Sequence, residues 1–304
     1  MRPDAKPDAR VGAFLARHGA DDPVRSVARL CSEILDVAEA TVPVNLEVVA
    51  SFRNAWVTVL DQEQAETIMW DGRHFAIRVR QADTRGRQRF SCAHGIIHTF
   101  FMEAGGSLPA GGAVLDSWSS QEEDLCDQGA AELLLPRAAF IAACPPHPDM
   151  DDVLSLAAAF DASAEATALR VVTLSAVPAA MTVLEPSLKP AELMRIARRK
   201  SQPTLPGFPP EDPIVPRLRV QKSLGHMLPY IPRYKSIGDS TPLASVLADG
   251  AADYIGETGL VPGRLRISAR LLPVRRDGVL IDRVVALLFD ANAEQQPWSM
   301  RQSG

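Results

Sequence analysis

The run Arg89-Phe90-Ser91-Cys92-Ala93-His94-Gly95-Ile96-Ile97-His98-Thr99-Phe100-Phe101 constrains this chain more than any other stretch. It is apolar enough to be a buried helix, yet it carries two histidines at i and i+4. On a helix those positions lie about 40° apart on one face, so both imidazoles can reach a single tetrahedral ion. The spacing predicts a helix over residues 88–104 with a pair of metal ligands on one side. Taken alone, two histidines four apart on an apolar helix are more often not ligands, so the pair needs a third group.

Glu123 is the candidate for that third group. Residues 120–135 return to helical spacing, and Glu123 and Asp127 again stand four apart, so an antiparallel helix would bring both toward His94 and His98. Glu123 is expected to bind the metal, and Asp127 to accept the N–H of a ligand imidazole and fix its tautomer. Ala130 and Ala131 would let the two helices approach closely. In H-E-x-x-H zinc helices the residue after the first histidine is a glutamate that takes a proton from metal-bound water. Here that residue is Gly95, so metal binding and hydrolysis are separate expectations. Glu122 and Glu132 are the substitutes at hand, and their helical phase turns both away from Glu123.

Composition sets the outer limits. With 304 residues the chain is long enough for one large domain or two ordinary ones, and 46% hydrophobic content is that of a globular protein. A net charge of −5 gives no pull toward nucleic acid or anionic membrane, so direct nucleic-acid binding is not expected. Cys31, Cys92, Cys126 and Cys144 form no C-x-x-C pair and read as reduced core residues. With no signal-like or membrane-spanning apolar run, the expected location is the cytoplasm and no membrane contact is expected.

The expected organisation runs as a flexible leader over residues 1–22, a metal-binding domain over 23–185, a proline-rich linker over 186–216, an α+β domain over 217–295 and a tail over 296–304. Asp22-Pro23 starts a helix reaching residue 40, and strands follow over residues 44–60 and 67–79 around the turn Asp71-Gly72. Gly105-Gly106 would stop the histidine helix, and Pro136 the acidic one. Short helices fit residues 150–160 and 162–174. Eight prolines between Pro186 and Pro216 mark the junction. Beyond it, Leu265, Ile267, Ala269 and Leu271 alternate with polar residues in the period of a half-buried strand. A turn at Arg276-Asp277-Gly278 and the apolar run 279–289 complete a hairpin, with a helix over residues 242–249 before it.

The two site motifs resemble those of the ImmA/IrrE family of metallopeptidases, R-x-R-F-x-x-A-H-E-x-x-H and E-x-x-C/A-D/N-x-x-A-A-E-L-L-x-P. Arg87, Arg89-Phe90-Ser91, Ala93-His94 and His98 match the first; Glu123, Cys126-Asp127, Ala130-Ala131-Glu132-Leu133-Leu134 and Pro136 match the second. The resemblance covers residues 25–175. It implies an α+β chain, with a zincin-like, mainly helical domain and a small sheet, followed by a smaller α+β domain comparable to the GAF-like sensory domains of some members. It further implies Zn²⁺ on His94, His98 and Glu123, and a helix-turn-helix repressor of the XRE type as partner. The expected function is therefore a zinc-binding regulator with impaired or absent hydrolysis that acts on such a repressor by contact. The alternative is an active zinc endopeptidase that cleaves the repressor with a non-standard base. The second domain is expected to take a small ligand.

Overall fold

The computed structural model describes residues 8–18, 22–104, 113–115, 118–201, 213–226, 228–276 and 278–293. The chain divides into two units, Met1–Cys144 with Leu154–Thr167, and Pro145–Val153 with Ala168–Gly304. The stop expected at Gly105-Gly106, the residue Asp277 and the tail over 296–304 lie outside the described residues.

The first unit begins with helix α1 (Ala9–His18), where a flexible leader was expected. Val11 and Phe14, three apart, form an apolar stripe that is fully buried, and Phe14 packs 4.6 Å from the Phe101 ring. Helix α2 (Pro23–Val37) starts as its sequence predicts: the Asp22 carboxylate accepts from Val24 N and Arg25 N, and Pro23 occupies the first turn. The first expected strand is in part a helix, α3 (Leu46–Ser51). Its β-branched residues suggest extension, but Asn45 caps Glu47 N and Val48 N, and Leu46, Val49 and Ala50 bury one helical face.

Strands β1 (Ala55–Leu60), β2 (Glu66–Trp70) and β3 (Phe75–Arg80) follow, then α4 (Arg85–Ala104) and β4 (Ala113–Leu115). They form a four-stranded sheet in the order β1-β3-β2-β4, with β1 parallel to β3 and the other pairs antiparallel. The β2–β3 hairpin closes at Trp70 opposite Phe75, and the Asp71 carboxylate accepts from Arg73 N and His74 N in the turn. Ile77 and Val79 are buried.

Every α4 residue from Ser91 to Met102 is buried, so its apolar side chains face protein on all sides. Each large one contributes roughly 1.5–3 kcal/mol by burial. Helix α5 (Ser120–Leu134) is N-capped by Ser119, whose hydroxyl accepts from Glu122 N at 3.2 Å. It reaches α4 at Gly129 beside Ala130: a Cβ on Gly129 would stand 2.7 Å from Ile97 Cγ1. Close approach therefore rests on a glycine that the alanine-based expectation passed over. Helix α6 (Arg137–Ala143) follows Pro136, and α7 (Met150–Phe160) and α8 (Ala164–Leu174) straddle the division between the units.

The second unit is built on a five-stranded antiparallel sheet. Its elements are β5 (Ala179–Ser187), α9 (Pro190–Ser201), β6 (Arg217–His226), α10 (Pro242–Asp249), β7 (Ala251–Gly256), β8 (Leu265–Leu271), the short ribbon β9 (Val274–Arg276) and β10 (Val279–Ile281), and β11 (Val284–Asp290). The order β6-β5-β11-β8-β7 places β5 and β11 inside, where residues of both faces are buried and no alternation survives in the sequence. The expected hairpin thus consists of β8 and β11, with the β9–β10 ribbon inserted between them. Ile267, Ala269, Ala286 and Leu288 share one core with Leu243 and Val246 of α10. The first part of the expected linker forms α9, which carries Glu192, and Glu192 accepts two hydrogen bonds, at 2.6 and 2.8 Å, from the buried Arg219 of β6.

Candidate metal centre

Helix α4 brings His94 and His98 to one face, as their spacing requires, with ring centroids 4.7 Å apart. Both are buried, and each is held at Nδ1 by a carboxylate. His94 Nδ1 donates to Glu66 Oε1 at 2.9 Å, and His98 Nδ1 donates to Glu122 Oε1 at 3.2 Å. Occupying Nδ1 in this way leaves each Nε2 as the nitrogen free to ligate. Both Nε2 atoms face Glu123, whose Oε2 is 3.4 Å from His94 Nε2 and whose Oε1 is 3.6 Å from His98 Nε2.

Those separations test the fit of an ion. A tetrahedral ion with bonds of about 2.0–2.1 Å holds its ligand atoms about 3.3 Å apart, longer than the hydrogen bond at Glu66 and close to the Glu123 distances. His98 Nε2 is buried and makes no hydrogen bond, the condition of a nitrogen that a cation would satisfy. Glu66, His94 and His98 also form a group whose potential ligand atoms all lie within 4.8 Å of one another. Two carboxylates therefore compete for the same role. Glu66 sits at hydrogen-bonding distance from His94 Nδ1, and Glu123 lies between the two Nε2 atoms.

Asp127 is placed differently from Glu66: its Oδ1 is 3.5 Å from His94 Nε2, while Glu66 holds Nδ1. Glu122 is also placed differently. Its phase turns it from Glu123, as the helix geometry requires, but toward His98, where it is fully buried and unavailable as a base. Glu122 Oε2 stands 3.4 Å from Arg10 Nε of α1. Arg10 also lies over the Trp118 ring at 4.9 Å, and Trp118 stacks on His98 at 4.0 Å. The segment expected to be a leader thus supports the second histidine.

The electrostatics follow from these contacts. Burial disfavours the charged form of His98, but the hydrogen bond to Glu122 and the adjacent Glu123 carboxylate outweigh it and raise the His98 pKa. The Glu123 carboxyl is held below its ordinary range, chiefly by its bond to His98. Burial raises the Asp127 carboxyl. At Gly95 a side chain would crowd β3, since a Cβ would stand 2.8 Å from Ile77 Cγ2. The missing glutamate is therefore replaced by packing against β3.

Residues 60–172 match the model of the IrrE N-terminal-like domain, Peptidase_M78. The chain carries an IrrE N-terminal-like domain. That domain holds His94, His98, Glu66, Glu122, Glu123 and Asp127, and it departs from the metallopeptidase motif at Gly95. No curated protein matches the chain. A solved Mycobacterium tuberculosis transcriptional regulator is similar over 95% of this chain and 83% of its own, with a TM-score of 0.52 and 13% identity, a likeness of fold alone. Among the described residues, no helix is long and apolar enough to cross a membrane.

Sequence reasoning reached the two histidines and the α5 carboxylates because helical spacing places them. Glu66 and Arg10 were missed. The only local signal for Glu66 was a carboxylate opening a strand just before the hairpin, and for Arg10 its position beside the apolar pair Val11 and Phe14.

Proposed function

We propose that this chain is a zinc-binding regulatory protein on a metallopeptidase fold, with hydrolysis impaired or absent, that controls an XRE-type helix-turn-helix repressor by protein–protein contact. The observation that carries this reading is the pairing of an intact ligand set with a filled base position: both Nε2 atoms converge on Glu123 while Ile77 occupies the space at Gly95. His94, His98 and Glu123 would hold the zinc. When bound it would supply Lewis-acid polarisation of water or a carbonyl, but a general base typically contributes about 10²–10⁴ in rate. The similarity of fold to a protein described as a transcriptional regulator supports a regulatory role. In this reading the second unit senses a small ligand, and the protein acts in the cytoplasm, in keeping with four buried free thiols.

A second reading, an active endopeptidase with a non-standard base, draws on Asp127. Its carboxyl is raised by burial and stands 3.5 Å from His94 Nε2. Incubating the zinc-loaded protein with a panel of XRE-type repressors decides between the two. Complex formation without cleavage supports the regulator. Cleavage abolished by chelator, by His94→Ala and by Asp127→Asn supports the enzyme.

A further inference from the structure

The first motif contains an arginine, Arg89, that the metal site does not use. Its guanidinium lines a cavity of about 430 Å³ in the first unit, which shares no lining residue with the metal centre. That volume falls within the roughly 300–1,000 Å³ of small-molecule sites. One wall is apolar, formed by Val44, Leu46, Val57 and Val59. Val57 and Val59 of this wall lie on β1, an edge strand among the described residues, and Val59 is exposed.

The polar wall is under-satisfied. Arg89 has only 15% of its side chain exposed, and among the described residues it donates a hydrogen bond only to Val44 O, from Nη2 at 2.9 Å. Its Nε is buried without a hydrogen bond, and the nearest acceptor, Asp161 Oδ2, lies 3.4 Å away. Asp161 is already engaged: both its oxygens accept from Arg85 Nε at 2.9 Å, and Oδ2 lies 2.6 Å from Arg85 Nη2. Gln88 is likewise committed, donating to the carbonyls of Arg80, Gln81 and Asp83. An arginine offers five N–H donors in a fork suited to a carboxylate, and a buried guanidinium with unmet donors is costly. Burial lowers the Arg89 pKa, which agrees with a cation short of partners.

Glu47 also lines the cavity, and with Asp161 it disfavours a dianion such as phosphate. We propose that the cavity binds a small aliphatic monocarboxylate, free or as the C-terminal residue of a peptide. Its carboxylate lies on Arg89, and its hydrocarbon lies against Val44, Leu46, Val57 and Val59. Arg85, Arg89 and Cys92 of the cavity stand on α4 with both metal-facing histidines, so an occupant touches the helix that presents them. This site is independent of whether zinc is bound.

The test is calorimetric titration of the full chain with isovalerate, its neutral isostere isovaleramide, inorganic phosphate and N-acetyl-Ala-Val. Isovalerate or the peptide should bind once per chain, and the amide and phosphate at least tenfold more weakly, the loss of one charge-assisted contact. A peptide at least tenfold tighter than isovalerate identifies a chain terminus as the natural ligand, and equal affinities identify a free acid. Arg89 supports the fold through Val44, so the variants are Arg85→Gln, at a side chain 77% exposed, which frees Asp161 to take Arg89, and Val59→Trp, which fills the cavity from an exposed position. Both should keep the wild-type thermal transition; the first should weaken binding about tenfold and the second abolish it. Neither carboxylate binding the wild type, the amide binding as well as the acid, or both variants binding unchanged would overturn the proposal.

Discussion

Ile77 of β3 and Gly95 of α4 are in such close contact that a Cβ on the glycine would stand 2.8 Å from Ile77 Cγ2. Helix and sheet meet at the position where a glutamate next to the first histidine would have to project. The loss of the base and the packing of the sheet are one structural fact, and restoring glutamate alone does not restore its space.

Gly95→Ala should therefore destabilise the protein. Overpacking costs about 1–3 kcal/mol, which outweighs the gain in helix propensity of roughly 1 kcal/mol. Gly95→Glu should be worse, and combining either change with Ile77→Ala should give a favourable coupling of about 0.5–3 kcal/mol in a double-mutant cycle followed by urea unfolding. Additive effects would mean that the two residues do not compete for space.

Glu122→Gln should weaken zinc binding about 10–100-fold without removing a ligand, because Glu122 fixes the tautomer and orientation of His98. Glu66→Gln should do the same through His94. Competition titration with a chromogenic chelator measures both.

In the metal-free protein the raised His98 pKa implies a specific pH profile. A histidine whose folded pKa lies above its unfolded value stabilises the fold fully below about pH 6.5, and loses that contribution as pH rises through the folded value. Thermal unfolding in chelator should show this loss on the alkaline side, and His98→Gln should flatten it. Zinc competes with the same proton, so zinc affinity should rise over the window in which metal-free stability falls.

The pair of Glu192 and Arg219 contributes to the acid stability of the second unit. Bonding to Arg219 holds the Glu192 carboxyl at about 2, so its contribution is present above the ordinary carboxylate pKa and is lost as pH falls toward 2. Glu192→Gln should remove that part of the acid-unfolding curve while leaving Arg219, only 2% exposed, without its charge partner at every pH.

Much of this organisation was legible because local spacing decides it. His94, His98 and Glu123 converge because helical phase places them, and Asp22 caps α2 within a turn of its own position. The alternation of β8 was visible because one of its faces is polar. Glu66 was not visible, since a strand residue reaches His94 only after β2 folds against α4. Strand β5 was hidden because burial on both faces erases the alternation, and α3 because Val48 and Val49 look extended while Asn45 starts a helix. Spacing brings Asp127 toward the histidines, but only tertiary packing shows that Glu66 holds His94 Nδ1.

The most direct measurement is zinc per chain by elemental analysis of tag-free protein, beside His94→Ala and Glu123→Ala. The account predicts about one zinc in the wild type and its loss in both variants. Absence of zinc from the wild type after loading and desalting, or full retention in both variants, would contradict it.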